Sequence, residues 1–248
     1  MTTILFAGGE SDSFTYPLGY PGGTGTAASY DAAFCRSALY GTPTSPSVGT
    51  LVAPSQPEIW FHGEVYRINS SGNNFVLQLR NASGQRVVAI TNNVNTLTFS
   101  RWNGSSDVTI GTATWANGAR YQWDVYVKIA DTGGVFEFYI NGVLTASYYG
   151  DTNLFAGAEI SQLWLGGTWT DPTLSVAWSQ IIVATTDTRS MKLATLAPNA
   201  NGDIDQWAGS YLNVNSFTYN DSSYISSGTP NQVELMGLTD LSATAATL

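Results

Sequence analysis

Between Tyr121 and Gly150 the polar and apolar positions alternate with a period of two, interrupted twice by turn residues. Tyr121, Trp123, Val125, Val127 and Ile129 fall on one side of the alternation, and Gln122, Asp124, Tyr126 and Lys128 on the other. That is the pattern of a half-buried strand, because successive side chains point to opposite faces. Asp131-Thr132-Gly133-Gly134 supplies a reversal, and Phe136, Phe138 and Ile140 resume the pattern. Asn141-Gly142 follows, and both residues tolerate the positive φ of a type I′ hairpin turn. The segment therefore predicts a three-stranded antiparallel meander with one apolar face, which must pack on a second sheet.

The same signals extend in both directions. Strands are predicted at Ile4 to Ala7, Ile59 to Ile68, Asn74 to Arg80, Arg86 to Thr91, Thr96 to Trp102, Asp107 to Trp115, Gln162 to Leu165 and Val176 to Ala184. The turn-like stretches SSGN, NASGQ, TNNVN and WNGSS separate several of them at sandwich-like spacing. Prolines at 17, 21, 43, 46, 54 and 57 predict long loops over 8–57 around one helix, Ser29 to Tyr40. After Leu196 the chain becomes turn-rich, with short strand candidates at Tyr211 to Tyr219 and Gln232 to Met236. Two regions are expected: a sandwich over 1–192, and a small β-rich docking or assembly segment over 193–248. So short a segment with so little apolar content is marginal alone.

Composition narrows the partners. Charged residues are 11% and aromatic residues 12%, a balance opposite to that of disordered chains. The net charge is −9 with only two lysines, Lys128 and Lys192, so a phosphate backbone would be repelled and nucleic acid is not an expected partner. No apolar run is long enough to span a bilayer, so membrane insertion is not expected either. The single cysteine, Cys35, excludes an intramolecular disulfide and favours folding in a reducing cytoplasm. The first residues, MTTILFAGGESDSF, lack the charged start of a signal peptide.

Two resemblances bear on identity. Trp123 to Val127, Phe136 to Tyr139, Asn141-Gly142 and Ser147 to Thr152 are similar to the core of a concanavalin A-like, laminin-G-like jelly roll. That likeness covers roughly residues 55 to 190 and implies an all-β, two-sheet antiparallel jelly-roll sandwich. The segments ILFAGGESDSF, SQIIVATTDTRSMKLATLAP and DIDQWAGSYLNVN resemble the arrangement of tailed-phage virion proteins. The second resemblance implies a non-enzymatic head or tail appendage or decoration protein, made in the host cytoplasm and located in the virion. Its partners would be copies of itself, other virion proteins and a host-surface polysaccharide. A bacterial carbohydrate-binding module or lectin is the alternative.

Candidate chemistry is sparse. Glucanases with this sandwich resemble one another in a Glu-x-Asp-x-Glu strand that flanks the scissile bond with two carboxylates. That motif is absent here: Glu10-Ser11-Asp12 and Asp203-Ile204-Asp205 do not supply it. No active site is therefore expected, with Glu64 the first carboxylate to test for glycosidase activity. On the strand after Pro57, Glu58, Trp60, His62, Glu64 and Tyr66 share one face, opposite Ile59, Phe61 and Val65. Trp60 and Tyr66 could stack on a sugar, with His62 or Glu64 bonding its hydroxyls; a polar sheet face or subunit interface is the plainer reading. Trp102, Tyr148, Tyr149, Trp169 with Asp171, and Trp207 are loop aromatics suited to glycan or protein contact, whereas Trp123 and Trp178 read as core. No cofactor is expected. Asp151 and Asn153 could offer oxygens to Ca²⁺, but GDTN also reads as an ordinary Asx turn.

Overall fold

The computed structural model describes residues 3–7, 29–31, 36–41, 47–50, 55–69, 73–166, 175–192, 198–213 and 225–238. They form two compact units, 1–191 and 192–248.

The first unit is a jelly-roll β-sandwich. One sheet, here sheet A, runs β12 (Val143–Gly150), β11 (Gly134–Ile140), β10 (Ala119–Lys128), β5 (Glu58–Asn69), β14 (Ser175–Ala184), β3 (Arg36–Gly41) and β2 (Ser29–Asp31), and β1 (Thr3–Ala7) also pairs with β14. The other, sheet B, runs β4 (Ser47–Thr50), β13 (Gln162–Leu165), β6 (Asn73–Arg80), β7 (Arg86–Asn93), β8 (Thr96–Trp102) and β9 (Asp107–Thr114). Strand pairing is antiparallel throughout these ladders.

The predicted meander is β10–β11–β12, and Asn141 and Gly142 at its tip have φ of 51° and 77°, as a type I′ turn requires. Where the sequence predicts a helix, Ser29–Asp31 and Arg36–Gly41 form the antiparallel pair β2–β3, and β3 continues sheet A by pairing Leu39 with Trp178. Ladder bonds to β14 outweigh any local helical tendency there. Cys35 lies outside the described residues.

Between the sheets, Ile59, Phe61, Val65, Trp123, Val125 and Val127 meet Leu77, Leu79, Leu97 and Phe99 in one apolar core. Trp123 and Trp178 are fully buried and meet edge to face at 5.5 Å. Phe61 also meets Trp178 edge to face, at 6.0 Å, and Gly63 leaves room for that contact. A Cβ there would stand 2.9 Å from the Phe61 ring and 3.3 Å from Trp178.

A bulge in β14 sets what the opposite face of sheet A shows. Ser179 pairs with Glu64, and Ile182 with His62, so β14 spends one extra residue, with Gln180 at φ 55°. The extra residue shifts the alternation by one. Trp178 before it and Ile181 and Val183 after it all enter the core, while Ile182 and Ala184 join the outer face.

The second unit carries the antiparallel pair β15 (Pro198–Asp205) with β16 (Glu234–Leu238) and, among the described residues, a 3₁₀ turn at Tyr211–Asn213. The strand expected to begin at Tyr211 thus opens as a turn, and 214–219 lie outside the described residues. Glu234 accepts the backbone N–H groups of Gln206 and Trp207, which joins the end of β16 to the residues after β15.

Candidate functional site on the outer face of sheet A

The β5–β10 register brings polar residues that are distant in sequence into rows. Asp124 lies opposite His62, Gln122 opposite Glu64, and Tyr126 opposite Trp60. On the next strand Tyr139 lies opposite Asp124, and Glu137 opposite Tyr126.

At the centre, the His62 Nδ1 stands 2.8 Å from Asp124 Oδ1, with 2% and 0% of the two side chains exposed. Gln122 donates from Nε2 to the other Asp124 oxygen at 3.0 Å. Both carboxylate oxygens are therefore engaged, which a buried carboxylate requires. The His62 ring thus bonds Asp124 through Nδ1, and Nε2 is its other ring nitrogen.

Beside this pair lies an aromatic cluster. Trp60 stacks on Tyr126 at 4.6 Å with an 18° interplanar angle, and Tyr139 lies 6.2 Å from it. Each tyrosine hydroxyl donates to a glutamate: Tyr126 to Glu58 at 2.8 Å, Tyr139 to Glu137 at 2.6 Å, and Tyr149 to the other Glu137 oxygen at 2.6 Å. Burial, then the bond to Glu137, push Tyr139 up to about 12. Burial, then Glu58, push Tyr126 up as well. For Tyr149 the bond to Glu137 is the main cause of the rise. All three stay protonated near neutral pH and act as hydrogen-bond donors.

The segment after β14 turns back over this face. The Arg189 guanidinium lies 5.0 Å from the Trp60 ring centroid and 4.7 Å from that of Tyr139. Asp187 holds it with a hydrogen-bonded ion pair, which lowers the Asp187 pKa and raises that of Arg189. Gln122 Nε2 also reaches the Arg189 carbonyl at 3.2 Å. The same amide thus ties the returning segment to the His62–Asp124 pair.

The expected residues divide accordingly. Trp60 and His62 sit at the centre, but Trp60 is only 9% exposed, with Tyr126 and Arg189 against it, so its ring offers no free surface for a sugar. Glu64 and Tyr66 share the face farther along β5, and Glu64 stands 3.9 Å from Arg120. Tyr149, 60% exposed, reaches the cluster through Glu137. Tyr148 turns inward instead, packing on Phe136 with the Arg101 guanidinium 4.1 Å from its ring. Trp102 belongs to sheet B, near Arg86, which pairs with Asp107. Trp169 and Asp171 lie outside the described residues. Asp151 accepts the Asn153 backbone N–H at 3.0 Å, an Asx turn, and the Asn153 amide donates to Asp131 at 2.9 Å. Among the described residues no group of three or more His, Cys, Asp or Glu is placed to hold a metal ion.

Asp124, Gln122, Tyr126, Tyr139, Glu137, Asp187 and Arg189 were not singled out from sequence. The alternation on β10 carried a signal for the first three. Arg189 had none, because its place depends on a fold-back over strands far earlier in the chain.

No family model matches the chain, and no curated protein matches it. Solved structures do. An endo-β-1,4-glucuronan lyase from the fungus Trichoderma reesei is similar over 75% of this chain and 96% of its own, with TM-score 0.57 and 16% identity. The alginate lyase Aly36B, in complex with alginate trisaccharide, is similar over 74% and 98%, with TM-score 0.56 and 10% identity. The receptor binding domain of a botulinum neurotoxin C/D mosaic serotype is similar over 77% of this chain but 48% of its own, with TM-score 0.55 and 9% identity. At these identities the likeness establishes the fold.

It also corrects the functional expectation. A non-enzymatic phage virion component is not what these neighbours are; polysaccharide lyases share this sandwich. The missing Glu-x-Asp-x-Glu strand argues only against glycosidases with paired carboxylates. Elimination needs a base and an acid of another kind, so that absence does not argue against an enzyme.

Proposed function

We propose that the chain recognises a polysaccharide on the outer face of sheet A. The observation that carries this reading is a pair of hydrogen-bonded clusters, Tyr149–Glu137–Tyr139 and Tyr126–Glu58, with the Trp60 ring between them. In each, protonated phenols donate to a carboxylate beside an aromatic ring. Sugar hydroxyls both donate and accept, and their C–H faces pack on aromatic rings, so such clusters suit them. The face carries Glu58, Glu64, Asp124, Glu137 and Asp187 against Arg120, Lys128 and Arg189, on a chain of net charge −9. That balance favours a neutral glycan over a polyanion.

A second reading, cleavage by elimination, is favoured by one observation. A histidine positioned by a buried carboxylate lies in the same row as Tyr139, a phenol that holds its proton. On a uronate chain, His62 would take the proton α to the sugar carboxylate through Nε2, a C=C bond would form as the C–O bond to the leaving sugar breaks, and a tyrosine would give that leaving oxygen a proton. Perturbed or buried ionisable pairs of this kind concentrate at functional sites.

One experiment tests both readings. The full chain is run through native gels containing neutral glucans, galactans, mannans, glucuronan or alginate, and the same polymers are assayed for new unsaturated chain ends by ultraviolet absorbance. Retardation by a neutral polymer, reduced by Tyr149→Ala, supports recognition. New unsaturated ends, lost in His62→Gln, support cleavage. Neither retardation nor new ends on any polymer overturns the assignment.

A further inference from the structure

We infer that Arg189 is a built-in occupant of the glycan site, and that a sugar ring reaches Trp60 and Tyr139 only by displacing it. This rests on the reading above and adds how that site is gated.

Three observations converge. The first is position: the guanidinium, a flat group, lies 5.0 Å from the Trp60 centroid and 4.7 Å from that of Tyr139. A planar cation over an aromatic face takes the place where a sugar C–H face would stack. The second is the hold. Among the described residues, the main chain of 186–191 meets the sheet through the bond from Gln122 Nε2 to the Arg189 carbonyl, at 3.2 Å. The other hydrogen bonds of 186–191 found among the described residues are internal: Asp187 to the Arg189 guanidinium and backbone N–H, and the Met191 N–H to the Thr188 carbonyl. Exposed ion pairs of this kind contribute little.

The third is a penalty within the closed arrangement. The hydroxyls of Thr186 and Thr188 are buried with no hydrogen-bond partner among the described residues, and Thr188 is fully buried. Buried donors without partners oppose the state that buries them. The segment therefore combines weak attachment with an unfavourable buried state, and lies on the best aromatic surface of the face.

Because Gln122 also bonds Asp124, displacing Arg189 frees one hydrogen bond beside the His62–Asp124 pair. Opening the segment thus changes the surroundings of both the aromatic platform and the Asp124 carboxylate that holds His62. A ligand must make up the closing energy, so apparent affinity is reduced by the fraction of closed protein.

The test compares wild type with Arg189→Ala, an exposed position whose truncation leaves the strands intact. The first readout needs no glycan. Acrylamide quenching of tryptophan emission is measured in both proteins and in their Trp60→Phe counterparts, so that Trp60 is isolated by difference. Trp60 is expected to become several-fold more quenchable in Arg189→Ala. Equal quenching would overturn the gate whether or not any sugar binds. The second readout is the binding constant for whichever neutral polymer retards the wild type, expected to rise about tenfold in Arg189→Ala. Unchanged or weaker binding would overturn it, making Arg189 a bystander or a ligand contact. If no polymer binds either protein while Trp60 does become accessible, the recognition reading fails and the gate stands on the first readout.

Discussion

At their centres the two faces of β5 and β10 are both buried, and they are built on opposite chemistry. On the inner face Ile59, Phe61, Val65, Trp123 and Val127 are closed off by sheet B, and their burial follows from apolar area alone. On the outer face His62, Asp124 and Trp60 are as deeply buried, yet two of the three are polar. There burial rests on a matched set of hydrogen bonds and on a short returning segment with an ion pair. The contrast teaches that burial on the outer face is conditional. A core face has nowhere to go, whereas a face closed by side chains of one loop can open.

The largest expected effect is on the inner face. Trp123→Ala should cost about 3–5 kcal/mol, since a fully buried indole leaves a cavity the neighbouring sheet cannot fill. Denaturant unfolding checks it. A cost under about 1 kcal/mol would break the claim that the inner face dominates stability.

On the outer face, Asp124→Ala should cost about 3 kcal/mol by leaving His62 Nδ1 and the Gln122 amide without their acceptor. The apolar double change His62→Leu with Asp124→Leu should recover most of that loss, because removing both partners leaves no orphaned group. If the double variant is no more stable than the single one, the pair is structural in a way the comparison does not allow.

Alkaline titration sharpens the same contrast. Tyr139 has a folded pKa raised to about 12, so the protonated phenol is favoured in the folded protein. Its contribution to stability is complete below the ordinary tyrosine value near 10 and is lost as pH rises towards 12. Tyrosinate absorbance should show fewer phenols titrating near 10 in wild type than in Glu137→Gln, which removes the charged acceptor of Tyr139 and Tyr149. Identical titration curves would remove Glu137 as a cause.

The smallest effect should come from the closing segment itself. Arg189→Ala should change global stability by less than about 1 kcal/mol, the scale of an exposed cation–π contact. A loss of several kcal/mol would make the segment part of the core rather than a closure over it.

The strands were readable from sequence because alternation reports burial face by face. β8 (Thr96–Trp102) was expected at those bounds, β5 and β10 within a residue or two of them, and Asn141-Gly142 marked its own turn. Ser29 to Tyr40 misled because a short apolar run does not distinguish a helix from a strand pair, and β14 decides it. β15 (Pro198–Asp205) was missed because proline and polar residues fill it. At the site, Trp60 and His62 were visible as a face of one strand. Their neighbours depended on register between strands, and the cover over Trp60 on Arg189, neither of which a local pattern encodes. The virion reading leaned on short segments, two of them at the ends of the chain, and the similar solved structures, polysaccharide lyases among them, do not support it.

The central claim is that the outer face of sheet A, not loop aromatics in general, recognises a glycan. Calorimetric titration of the full chain with the best-retarding polysaccharide should give binding that Glu137→Gln and Tyr149→Ala each weaken at least several-fold, while Trp102→Ala on sheet B leaves it unchanged. Binding that is lost in Trp102→Ala and kept in Glu137→Gln would contradict the account.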